Sequence, residues 1–182
     1  MTIENIYLRV RSQVWLSRVV YLVRMLIGFA FIPSGMKKVL GLRFTQIPDT
    51  DPIGYFFEAM YQTGFYWNFL GWGQILAALL LMTQRFATLG AVLFSFIAAN
   101  IFMITISLHF PGTWLITLGL LFASICLLLW DYNKLKFIFF TDNFSSNDNY
   151  LGLPQAGRAW MITGMVLYFA AIGLSLKLAG TY

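Results

Sequence analysis

Charge is what this 182-residue chain has least of: Asp, Glu, Lys and Arg make up 10% of it, where a soluble protein carries about 25%. Histidine is reduced to His109 and cysteine to Cys126. A single histidine excludes a bis-histidine haem and a multi-histidine zinc or copper site within one chain. A single cysteine excludes an internal disulfide and a dithiol relay. No glycine loop precedes a basic residue to cradle phosphate, no glycine fingerprint suggests a dinucleotide, and no carboxylates cluster. The basic residues stand at the ends of apolar runs, without the clustering that nucleic acid demands, so nucleic acid is not expected as a partner. Nothing here reads as a self-sufficient catalyst.

What is present is apolar. Such residues form 59% of the chain, with 18 Phe, 9 Tyr and 6 Trp among them, against about 45–50% apolar residues in soluble domains. A chain of this size cannot hide that much apolar surface inside itself, so much of it must face a non-aqueous solvent. The expected partner is the lipid bilayer, and the expected fold class is all-α: a polytopic membrane helical bundle.

A spanning helix needs about 20 apolar residues. Four core spans are predicted at about Val19 to Leu40, Trp67 to Met82, Phe86 to Leu108 and Thr113 to Trp130, with a fifth at Ala159 to Leu178. Pro33 interrupts the first and predicts a kink, because proline removes a backbone donor and clashes with the preceding turn. Residues 1–17 hold no apolar run long enough for a signal peptide. Ile3, Ile6, Tyr7, Val10 and Val14 recur at spacings of three and four, which reads as an amphipathic helix on the membrane surface or, alternatively, a solvated arm. Residues 42–60 form a connection with Pro48 and Pro52, long enough to cap one face. Residues 132–158 form a polar loop containing Asp142, Asn143, Asn147, Asp148 and Asn149. The chain reads as one domain, with a four-helix unit at 19–130.

Orientation follows from the basic residues that flank the spans. Arg9, Arg11, Arg18, Arg85, Lys134, Lys136 and Arg158 fall on one side, and the smaller set of Lys37, Lys38, Arg43 and Lys177 on the other. That places the N-terminus in the cytoplasm of a bacterial inner-membrane protein.

Polar groups within the spans are the informative ones, since hydrocarbon penalises them unless they are paired. Arg24 either snorkels to the surface or faces the interior and meets Asp131, at the same end of the fourth span. A fixed charge there suits an anionic head group or a quinone oxygen. Gln74 and Asn100 lie near mid-membrane, as hydrogen bonds between helices or as ligand contacts. At the other end, Lys37, Lys38 and His109 are candidate ligand contacts, with His109 also readable as an interface residue or a proton-transfer group. The stripe Ala87, Ala91, Ser95 and Ala99 lets another helix approach, within the chain or in a homo-oligomer.

The stretch Arg24-Met25-Leu26-Ile27-Gly28-Phe29-Ala30-Phe31-Ile32-Pro33-Ser34-Gly35-Met36-Lys37-Lys38-Val39 resembles the first span of the DoxX-like membrane proteins. Gly71-Trp72-Gly73-Gln74 through Thr83-Gln84-Arg85 is similar to their next stretch. That family commonly has Glu where this chain has Gln74, so an acid–base role there is not carried over. The resemblance covers residues 19–130. It implies a small membrane subunit, linked in some members to quinone-dependent oxidation of sulfur compounds and in others to oxidant defence or maturation of partner proteins. The expectation is a membrane subunit of a redox complex that anchors a membrane or periplasmic partner and shapes a quinone or lipid-like site from Arg24, Asp131, Gln74, Asn100, Lys37, Lys38 and His109. No covalently bound cofactor is expected, and quinone is the candidate non-covalent one. A non-enzymatic scaffold or assembly factor is the alternative.

Overall fold

Residues 3–139 and 157–179 are described by the computed structural model. Among them there is no strand, and eight helices follow in order: α1 Ile3–Arg11, α2 Val14–Val39, α3 Pro52–Gln62, α4 Phe65–Met82, α5 Ala87–Ser107, α6 Thr113–Trp130, α7 Tyr132–Phe139 and α8 Arg158–Ala179. Helices α2, α4, α5, α6 and α8 are long and apolar enough to cross a membrane. Their outward faces present Leu26, Phe96, Ile116, Phe122 and Val166, all exposed. Apolar surface on this scale is what a lipid-facing bundle shows.

The first span begins five residues earlier than its composition suggested. Ser12 and Gln13 break the chain after α1, and Val14, Trp15 and Leu16 then extend the apolar run backwards into α2. Pro33 lies inside α2, which runs unbroken to Val39. The expected polar loop opens with α7, and its Asp- and Asn-rich middle falls outside the described residues.

Helices α2 and α4 form the centre of the bundle, antiparallel and in backbone contact. A Cβ on Gly71 would stand 2.8 Å from the Gly35 carbonyl and 2.8 Å from the Val39 amide nitrogen. Only glycine permits that approach, the usual way helices close up in lipid, where apolar transfer provides little attraction. Ile32, Ile75, Ala78, Leu81 and Met82 fill the seam above it, all buried. Phe94 of α5 closes on Phe31 of α2 at 5.2 Å between ring centroids. Helix α6 joins α5 through the 2.8 Å bond between the Thr105 and Thr117 hydroxyls. Helix α8 packs on α2, with Trp160 against Tyr21 at 5.3 Å.

The glycine contact also sets the register of the polar residues one turn away. Lys38 follows Gly35 by three residues and Gln74 follows Gly71 by three, so each shares its glycine's face. Gly71→Ala is expected to push the two helices apart and destabilise the protein by about 1–3 kcal/mol, as overpacking does. Thermal unfolding in detergent reads this, and an unchanged midpoint would contradict the backbone contact.

Candidate functional site

Two polar clusters sit near opposite ends of α2. Arg24 and Lys38 are fourteen positions apart, or about 21 Å of helix.

At the first end, Asp131 caps α6 and is 1% exposed. Its Oδ2 accepts from Arg24 Nη2 at 2.7 Å and from the Thr88 hydroxyl at 3.0 Å. Its Oδ1 accepts from Arg11 Nη1 at 3.3 Å, with Lys134 Nζ at 4.0 Å. Arg11 also donates to the Trp130 carbonyl and lies over the Trp130 ring, 5.2 Å from its centroid. Tyr7 donates to the same carbonyl at 2.8 Å. One carboxylate thus gathers α1, α2, α5 and α6. Gln84 completes the cluster by accepting from Arg24 Nη1 at 3.2 Å. It does so from a left-handed backbone, φ 58°, which a glutamine seldom adopts. The turn between α4 and α5 is held in that conformation while its side chain reaches Arg24.

At the second end, Lys38 is 6% exposed. Its ammonium donates to the Ser34 carbonyl at 3.2 Å, the Ser34 hydroxyl at 2.9 Å and Gln74 Oε1 at 3.1 Å. The Ser34 hydroxyl also reaches Gln74 Oε1, at 3.2 Å. Two aromatic faces attend the same ammonium, Phe44 at 4.4 Å and Trp67 at 5.1 Å. Because Gln74 Oε1 is taken by two donors, the amide orientation is decided. Its Nε2 is left without a partner among the described residues.

This cluster forms one wall of a cavity of about 430 Å³, within the size range of small-molecule sites. Leu70, Gly73 and Gln74 of α4 line it, with Leu93, Ile97, Asn100 and Ile104 of α5. Phe44, Phe56, Phe57 and Met60 close it from above. These four belong to the segment between α2 and α4, which therefore does act as a cap. Gly41 and Gly64, at φ 64° and 60°, turn the chain at its two ends, a backbone region that glycine occupies without steric penalty. The cap is tied down by Trp67 Nε1 donating to the Leu42 carbonyl at 3.1 Å. On its outer face Arg43 forks onto Glu58 at 2.8 and 2.9 Å. Those two hydrogen bonds hold the Glu58 carboxyl below the usual carboxylate range and raise Arg43. The pair is therefore formed at neutral pH and is lost only as pH falls through the lowered Glu58 value.

Of the residues singled out in the sequence, Lys38, Gln74 and Asn100 line the cavity together. Arg24 and Asp131 meet each other at the far end of α2 instead. Lys37 is exposed beside Lys38, and His109 is exposed in the turn after α5 with φ 50°; neither lines the cavity. Sequence reasoning missed Arg11, Thr88 and Gln84 at the first cluster, and Phe44, Phe56 and Phe57 over the second. A family model, DoxX, matches residues 19–109, half of the chain, from α2 to the turn after α5. That region contains every residue that lines the cavity. No curated protein and no solved structure matches the chain.

Proposed function

This chain belongs to the DoxX family and is a multi-pass integral membrane protein, and on that premise we propose that it serves as the membrane subunit of a redox complex, holding a quinone or lipid-like ligand beneath the cap and anchoring a partner protein. The observation that carries this reading is Gln74 Nε2, a donor without a partner among the described residues, on a side chain that lines a mainly apolar cavity. That donor is unpartnered beside the cavity, and a ligand oxygen would supply its acceptor. Lys38 positions that donor by binding the amide oxygen, and its charge polarises whatever oxygen arrives. Asn100 stands on the neighbouring helix as a second hydrogen-bonding group, exposed and without a side-chain partner among the described residues. The aromatic side chains of the cap provide the apolar contact that a ring or chain requires. The protein supplies position and electrostatics, while electrons are handled by ligand and partner.

In this reading Arg24 and Asp131 form a clasp that orders the bundle, since Asp131 is already surrounded by protein donors. The basic flank of α1 supports a cytoplasmic N-terminus in a bacterial inner membrane. Lys37, exposed next to the cavity wall, adds positive potential that draws an oxygen-bearing head group towards it.

Gentle extraction from the native membrane, followed by native mass spectrometry of proteins and lipids together, tests the proposal. It expects a near-stoichiometric amphiphile and a co-purifying oxidoreductase. A stable non-redox partner with no bound amphiphile would establish the scaffold reading in its place. Lys38→Gln removes the charge and frees the Gln74 amide to turn, so retention of the amphiphile is expected to fall about tenfold or more, the scale of a charge-assisted hydrogen bond. Unchanged retention in that variant would show that Lys38 does not act on the ligand.

A further inference from the structure

The charge balance around Lys38 narrows the ligand class. None of the ion pairs among the described residues includes Lys38. The acidic residue of the cap helix, Glu58, is engaged by Arg43 on the outer face. Ser34, Gln74, Phe44 and Trp67 all approach the ammonium, yet each is neutral. The ammonium of this buried lysine is thereby solvated by dipoles and rings but not neutralised. A buried charge in so apolar a setting is stabilised most by an opposite charge. The unpaired Gln74 Nε2 adds that the head group carries an acceptor, because it can only donate. The site therefore offers one uncompensated positive charge and one open donor side by side, at the edge of an apolar cavity.

From this we infer that the head group received beside Lys38 and Gln74 is an anionic oxygen carried on an apolar body: a fatty carboxylate, or the ionised hydroxyl of a quinone-type ring. The inference rests on the cavity being the ligand site and adds the charge of its occupant. The ligand's negative charge pairs with Lys38 while its oxygen accepts from Gln74 Nε2, and its apolar body lies against the cap aromatics. Entry is from the lipid, between α4 and α5, where the cavity residues Phe69 and Phe96 are 62% and 71% exposed.

Two matched pairs of probes test this by native mass spectrometry of the detergent-solubilised full chain. The first is dodecanoate and its methyl ester. The second is an alkyl hydroxynaphthoquinone and its methoxy counterpart. The wild-type protein is expected to hold the ionised member of at least one pair about tenfold more tightly than its neutral counterpart, and whichever pair shows the preference identifies the source of the head group. Lys38→Gln is expected to level the two members, while Lys38→Arg, which keeps the charge, retains the preference and guards against a folding artefact. Gly73→Leu, which fills the cavity, is expected to abolish binding of both. Equal binding of ionised and neutral members, still lost in Gly73→Leu, would overturn the anionic head group and leave the cavity reading standing. Binding that Gly73→Leu does not disturb would overturn the cavity reading, and the inference with it.

Discussion

Asp131→Asn is expected to lower stability by about 3–5 kcal/mol, the loss typical when one member of a buried ion pair is removed. The reason is a count of charges around one carboxylate. Asp131 faces Arg24 at 2.7 Å and Arg11 at 3.3 Å, with Lys134 at 4.0 Å. Neutralising it leaves two buried arginines, Arg24 and Arg11, with no opposite charge between them. It also weakens the bond from Thr88, and so loosens α5 as well as α1 and α2. Arg24→Leu is expected to be milder, because Asp131 would keep Arg11, Thr88 and Lys134. A simple pair would lose about the same from either side, so the inequality between the two variants is the sharper test. Unfolding in detergent, followed by heating or by added denaturing surfactant, gives the order. If Arg24→Leu were as damaging as Asp131→Asn, Asp131 would be a partner in one bond and not the centre of four.

The meeting of Arg24 with Asp131 was open to sequence reasoning because it needs little more than span boundaries. Once α2 and α6 are placed, each residue's distance from its helix end gives its depth, and two opposite charges at one depth in hydrocarbon seek each other. The spans were legible for a related reason: the bilayer imposes a length, and apolar runs report it. Arg11 was not legible as a bundle residue, because one basic residue in an amphipathic arm looks the same whether it faces head groups or a carboxylate. Gln84 was hidden differently. Its side chain reaches Arg24 only because its backbone is left-handed, and nothing in the string Thr83-Gln84-Arg85 announces that conformation.

The cavity was legible in its polar residues and not in its shape. Lys38, Gln74 and Asn100 are conspicuous in any apolar run. Their convergence depends on Gly35 and Gly71 bringing α2 and α4 into backbone contact, which is a property of pairs that a single sequence does not reveal. The cap aromatics were harder still. Phe44, Phe56 and Phe57 lie in a connection whose composition suits lipid, water or protein about equally. Only the fold of the segment between Gly41 and Gly64 turns them onto Lys38 and the cavity. The sequence pointed to a single ligand region spread over both ends of the bundle. The geometry divides it, with Asp131 gathering Arg24 and Arg11 at one end and Lys38 left without an acidic partner among the described residues at the other.

That division makes Gly73 the most direct handle on function. It lines the cavity one residue before Gln74, and a Cβ built there meets nothing within 4 Å. A leucine at this position projects into open space instead of a neighbour, so the overlap expected at Gly71 does not arise. Replacing a mid-helix glycine also removes backbone freedom from the unfolded chain, which favours the helix by about 0.5–1 kcal/mol. Gly73→Leu is therefore expected to fold as well as the wild type while losing its amphiphile by about a hundredfold or more, since a filled cavity excludes the ligand body outright. The comparison must be made on protein stripped of ligand, because a bound molecule itself raises the melting point. In that state the variant is expected to melt at or above the wild type, and after reconstitution with lipid extract only the wild type is expected to gain. Gly73→Ala, which adds one methyl group, is expected to fall between them. Were Gly73→Leu to unfold early with ligand retention unchanged, the space beside Gln74 would be filled by protein and the ligand would sit elsewhere. A stable variant that retains nothing would place the occupant against Gln74 and Lys38, on the floor of the cavity that the cap covers.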